Sequence, residues 1–156
     1  MHLSNSCPKR EIIICDPFSQ DSFEKVDPVL DKPFSYEQFS DTKEKNVRDL
    51  FVKRNRKCLV VPGYFPNSLL EKDISPVSFV HLDVDTYQAT RECLDYLMNC
   101  EFILKKSLIV VDDYNRMAEG VNKTVSEIVL PRQDWFVVPM FPSQALLIPI
   151  HWYVPR

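Results

Sequence analysis

The sequence predicts a three-layer α/β domain built on a largely parallel sheet, and three observations carry that expectation. Short apolar, β-branched runs alternate with segments whose apolar residues recur at helical spacing. Two of these runs, Phe79-Val80-His81-Leu82-Asp83-Val84-Asp85 and Leu108-Ile109-Val110-Val111-Asp112-Asp113-Tyr114, end abruptly in carboxylate pairs. Continuous apolar runs suit strands buried on both faces, and in open α/β sheets the carboxyl ends of the strands line the ligand crevice. With 156 residues, 45% of them apolar, the chain is long enough for one domain with a sizeable core.

Each element has its own local signal. Glu11 to Asp16 reads as a first strand, ended by an acid and stopped by Pro17. Ser19 to Ser40 is polar, carries Pro28 and Pro33, and predicts a loop with little regular structure. Thr42 to Lys53 places Val47, Leu50 and Phe51 at helical spacing, with Asp41 ahead of them as the cap. Cys58-Leu59-Val60-Val61 is a short strand closed by Pro62-Gly63. After the first acid-tipped strand, Cys93, Leu94, Leu97 and Met98 mark the buried stripe of a helix from about Tyr87 to Cys100. After the second, Val121, Val125, Ile128 and Val129 mark another helix, ended by Pro131. Trp135 to Val138 and Ala145 to Ile150 supply closing strands, the last one antiparallel. The expectation is a sheet of about six strands with Asp16, Asp83 and Asp112 at one edge.

Composition narrows the function classes. A net charge of −3 gives no basic footprint for nucleic acid. No apolar run approaches the roughly 20 residues that span a bilayer, and Met1 to Arg10 lacks the apolar stretch of a signal peptide. The five cysteines are odd in number and show no C-x-x-C spacing, which predicts reduced thiols and a cytoplasmic protein. The two glycines, Gly63 and Gly120, stand far apart, so neither a G-x-G-x-x-G turn nor a P-loop exists.

The acids carry the chemistry. Asp83, Asp112 and Asp113 are short, hard oxygen donors suited to Mg²⁺ or Mn²⁺ rather than zinc, and like charges held this close call for a cation. The competing reading makes them caps of the following helices. It is strongest for Asp85, which with Gln88 three residues on matches a capping box. Asp16 is either a turn residue before Pro17 or the kind of strand-end acid that binds a nucleotide ribose. His81, inside the strand, reads as a core histidine, and His151 in the aromatic tail receives no role. Asn122-Lys123-Thr124 matches a glycosylation sequon but falls within an expected helix.

Taken together the segments resemble the macrocin O-methyltransferase family, S-adenosylmethionine-dependent enzymes that methylate sugar hydroxyls in natural products. The resemblance rests on Cys15-Asp16-Pro17-Phe18, Asn46-Val47-Arg48, Gly63-Tyr64-Phe65-Pro66-Asn67-Ser68-Leu69, His81-Leu82-Asp83-Val84-Asp85, Val111-Asp112-Asp113-Tyr114, Gly120-Val121-Asn122-Lys123 and Trp152-Tyr153, in that order. It implies a Rossmann-like methyltransferase sheet with a divalent cation on Asp83, Asp112 and Asp113. It further implies Asp85 as the general base on the acceptor hydroxyl and Asp16 as the cofactor-ribose ligand.

Two departures shape the expectation. The family's first strand and its glycine-rich cofactor loop have no counterpart ahead of Glu11, and Leu104-Lys105-Lys106-Ser107 replaces the glycine-rich turn before the fifth strand. Residues 1–156 are thus expected to form a single, incomplete methyltransferase domain that lacks its first strand. It should bind S-adenosylmethionine poorly or not at all, with very low activity, and its uncovered strand edges should favour a homo-oligomer. The runner-up is a nucleotide-sugar glycosyltransferase using Asp83-Val84-Asp85 as a D-x-D site, which leaves Asp112 and Asp113 unexplained. A haloacid-dehalogenase-type phosphatase fails because Tyr87 stands where its threonine belongs. A non-enzymatic reading keeps the degenerate fold as a binding module.

Overall fold

The computed structural model describes residues 10–18, 26–32, 42–70, 72, 74, 76–100, 107–114 and 118–152. Strand and helix alternate as expected, but hydrogen bonding gathers the strands into a pair and a group of four rather than one sheet. The chain divides accordingly into two units, Met1–Ser22 with Tyr36–Lys72, and Phe23–Ser35 with Asp73–Arg156.

In the first unit β1 (Ile12–Asp16) runs parallel to β2 (Cys58–Pro62), with Ile12 opposite Cys58 and Asp16 opposite Pro62. Helix α1 (Glu44–Lys53) buries Phe51, and Val60 and Val61 of β2 are buried as well. Arg48 of α1 donates to the Val60 carbonyl at 2.9 Å, tying helix to strand. The N-cap is Lys43, which makes no side-chain cap bond; Asp41, the expected cap, lies outside the described residues. Gly63 closes the pair: its φ of +117° is a conformation that side chains resist, and its N–H donates to the Asp16 carbonyl at 3.0 Å.

The second unit carries the strand order β3-β4-β6-β5, where β3 is Phe79–Leu82, β4 Leu108–Val111, β5 Trp135–Met140 and β6 Gln144–Pro149. β3 and β4 are parallel, and β6 is antiparallel to both its neighbours, so the last strand is the reversed one, as expected. One face of this sheet, with Leu82, Ile109, Val111, Ala145, Leu147 and Trp135, is buried. Helix α2 (Tyr87–Asn99) contributes Cys93, Leu94, Leu97 and Met98 to the same core, the stripe read from the sequence. Helix α3 (Glu119–Thr124) adds Val121 and runs on into a π-helical turn over Val125–Val129, where the Leu130 N–H reaches back five residues to Val125. On the opposite face Phe79, Phe136 and Val138 are exposed. Burial on both faces therefore holds for the interior strand β4 but not for β3, which among the described residues pairs on one side only.

Among the described residues no helix is long and apolar enough to cross a membrane. Cys15, Cys58, Cys93 and Cys100 are unbridged, and burial pushes the Cys15 thiol up to about 11, where it is inert; Cys7 lies outside the described residues.

Candidate active site

The register that sets Leu82 opposite Val111 also brings the two acid pairs to one edge of the four-stranded sheet. The Asp112 N–H continues the ladder by donating to the Leu82 carbonyl at 2.8 Å, so Asp83 and Asp112 leave their strands side by side. The backbone then turns sharply in both loops. Asp85 (φ +60°) and Asp113 (φ +58°) occupy the left-handed region, which costs on the order of 1 kcal/mol each for a residue with a side chain. Aspartate tolerates that region better than most residues.

The turns bring Asp85 and Asp113 together beside Asp83. Ligand atoms of Asp83, Asp85 and Asp113 lie within 4.8 Å of one another, and so do those of His81, Asp83 and Asp112. The four acids thus gather into two overlapping groups that share Asp83. Asp112 is held by its neighbours: its Oδ1 accepts from the Asp113 N–H at 3.0 Å and its Oδ2 from the Gln144 amide at 3.2 Å. Gln144 opens β6, one step beyond the Val111–Ala145 pair, and the sequence offers no signal that singles it out.

The expected placement of His81 in the core is corrected. Its side chain is 38% exposed, on the open face of β3, with Nε2 3.3 Å from Asp112 Oδ2. A histidine within an apolar run looks buried until one face of its strand proves to be open, as it is here, where alternate positions meet solvent.

The capping box is also not formed. Thr86 is the N-cap of α2, without a side-chain cap bond, and Gln88 donates to Glu92 at 2.8 Å instead of reaching back. The Tyr87 N–H at the start of α2 is taken from far along the chain by Asp31 Oδ1, at 2.9 Å. Asp31 is fully buried, and its Oδ2 accepts from the Asp27 N–H at 2.8 Å. Gly120 makes room for this contact, since a Cβ there would stand 2.2 Å from Asp31 Oδ1 and 2.7 Å from the Tyr87 nitrogen. Asp31 sits in the stretch expected to be a plain loop, and no periodicity marks it.

Released from capping, the Asp85 carboxyl is pushed up to about 7. Desolvation is the largest cause, followed by its hydrogen bond with Asp113 and the charges of Asp83, Asp113 and Asp112. Asp83 rises too: its side chain reaches solvent, yet surrounding protein atoms displace water from the carboxylate, and the Asp112 charge adds to this while His81 opposes it. Among the described residues no Lys or Arg is one of the groups acting on either acid. A crowded carboxylate set, opposed among the described residues only by His81, is the environment that a hard divalent cation relieves, so the donors fit one.

Asp16 ends β1 in the first unit, half-buried, with Oδ1 accepting from the Phe18 N–H at 2.7 Å. The turn-residue role is therefore real, and Oδ2 keeps its acceptor capacity.

A family model described as macrocin-O-methyltransferase (TylF) matches residues 3–129. Among solved structures the chain is similar to the O-methyltransferase NovP, with a TM-score of 0.69 and 19% identity, over 92% of this chain and 62% of that one. It is also similar to the apo structure of CalS11, described as a TDP-rhamnose 3'-O-methyltransferase of calicheamicin biosynthesis, with a TM-score of 0.55 and 21% identity over 90% and 59%. At these identities the likeness shows the fold, and the chain spans about three-fifths of either structure. No curated protein matches the sequence. The family match runs from ahead of β1 through both acid pairs to the end of the π-helical turn, and the chain belongs to the macrocin O-methyltransferase family.

Proposed function

We propose that this chain performs metal-assisted O-methyl transfer from S-adenosylmethionine to a hydroxyl of a sugar or similar small molecule. The observation that carries the reading is the gathering of Asp83, Asp85, Asp112 and Asp113 at the carboxyl ends of two parallel strands, with Asp85 pushed up to about 7. Asp83, Asp112 and Asp113 would hold Mg²⁺ or a similar cation, and Asp16 would bind the cofactor ribose. When bound, the cation supplies Lewis-acid polarisation of the acceptor hydroxyl and cancels the repulsion among the acids.

The chain's own residues supply position and a proton acceptor. Asp85, held by its left-handed turn beside Asp113, takes the acceptor proton as the oxygen–carbon bond forms and the carbon–sulfur bond breaks. The ribs of the site, β3 and β4, are fixed by their parallel pairing and by the Asp112 N–H bond to Leu82.

Transfer of a labelled methyl group to a panel of sugar nucleotides and glycosides, with Mg²⁺ and with a chelator, tests the reading. Methylation that needs the cation and falls at least about a hundredfold in Asp85→Asn supports it. Mg²⁺-dependent binding of uridine diphosphate sugars without any methyl transfer would instead favour the glycosyltransferase use of Asp83-Val84-Asp85.

A further inference from the structure

We propose that His81 supplies a nitrogen donor to the cation held between β3 and β4, so that the site prefers Mn²⁺, Co²⁺ or Zn²⁺ to Mg²⁺; this rests on the metal reading above. The position follows from the strand. His81 and Asp83 are two residues apart, and the period of a strand sends such residues to one side. The parallel register sets His81 opposite Val110, with Asp112 two residues further along β4 on the same side.

The distances suit shared coordination. His81 Nε2 stands 3.3 Å from Asp112 Oδ2, and the ligand atoms of His81, Asp83 and Asp112 all lie within 4.8 Å of one another. Donors about 2.1 Å from a metal are about 3 Å apart in adjacent octahedral positions and about 4.2 Å apart in opposite ones. Side-chain movements of at most about 2 Å would therefore close the set.

The choice of metal follows from the donor. Mg²⁺ favours an all-oxygen octahedron and gives up water reluctantly, so an imidazole does little for it. Later divalent metals gain affinity from imidazole along the series from Mn²⁺ to Co²⁺ and, less regularly, Zn²⁺. The carboxylates alone would leave a site closer to indifferent.

Calorimetric titration of the full chain with Mg²⁺, Mn²⁺ and Co²⁺, in the wild type and in His81→Gln, tests this. The expected result is that His81→Gln weakens Co²⁺ binding about tenfold or more while Mg²⁺ affinity changes less than about threefold. In the wild type, ¹⁵N resonances of the His81 imidazole should also move on Zn²⁺ addition, which needs no variant that folds. Unchanged Co²⁺ affinity, equal losses for both metals, or a still imidazole resonance would overturn the role of His81 and leave the carboxylate site standing. Failure of every cation to bind the wild type would overturn the metal reading itself.

Discussion

Asp85 is the residue on which chemistry, backbone strain and charge meet. Its carboxyl pKa rises from 3.8 in the open chain to about 7 in the folded one, chiefly through desolvation. Between those values the folded state holds a proton that the unfolded state has lost. The sign follows: this group's contribution to stability is greatest below about pH 4, falls as pH rises toward 7, and is flat above. In chelator, the urea midpoint of Asp85→Asn should therefore gain on that of the wild type as pH is raised from 4.5 to 8. A gap that stays constant over that range would mean the Asp85 carboxyl is not perturbed. The substitution should fold, because asparagine, like aspartate, tolerates φ +60°. The importance of the four acids was legible because each pair ends an apolar run, and a charge there must face the sheet edge. The exposure of His81 was not legible, since burial of β3 depends on which neighbours its sheet provides.

At the scale of elements, the start of α2 decides how the Asp83–Asp85 loop is presented. Four apolar residues at helical spacing announced the helix, whereas its true N-terminal partner lies 56 residues upstream. Local pattern cannot report such a contact, because Asp31 belongs to a segment whose own sequence is polar and proline-rich. Asp31→Ala should cost about 1–3 kcal/mol, since it strips acceptors from the N–H groups of Tyr87 and Asp27. Gly120→Ala should cost a similar amount, about 1–3 kcal/mol, because the new methyl group would press on Asp31 and on backbone at Tyr87. Chemical denaturation of each variant measures both. If the two losses simply add in the double variant, the contact is not shared; one common contact predicts a double loss well below the sum.

For the whole molecule, alternation of strand and helix was enough to predict the α/β class and the reversed last strand, and the family's fold agrees. The separation of β1 and β2 from the four-stranded sheet was not legible in any single segment, because sheet membership is set by pairing between distant stretches. What the second unit offers is a carboxylate cluster that raises the proton affinity of Asp83 and Asp85, and the central claim is that a divalent cation resolves that repulsion. Asp83 is the sharpest probe, as it belongs to both ligand groups. Thermal unfolding of the wild type and Asp83→Asn, with chelator and with millimolar Mg²⁺ or Mn²⁺, tests the claim directly, since a ligand of the folded state stabilises by mass action. The account predicts a rise in the wild-type midpoint with added cation and none in Asp83→Asn; the same midpoint with and without cation in the wild type, or an equal rise in both proteins, would contradict it.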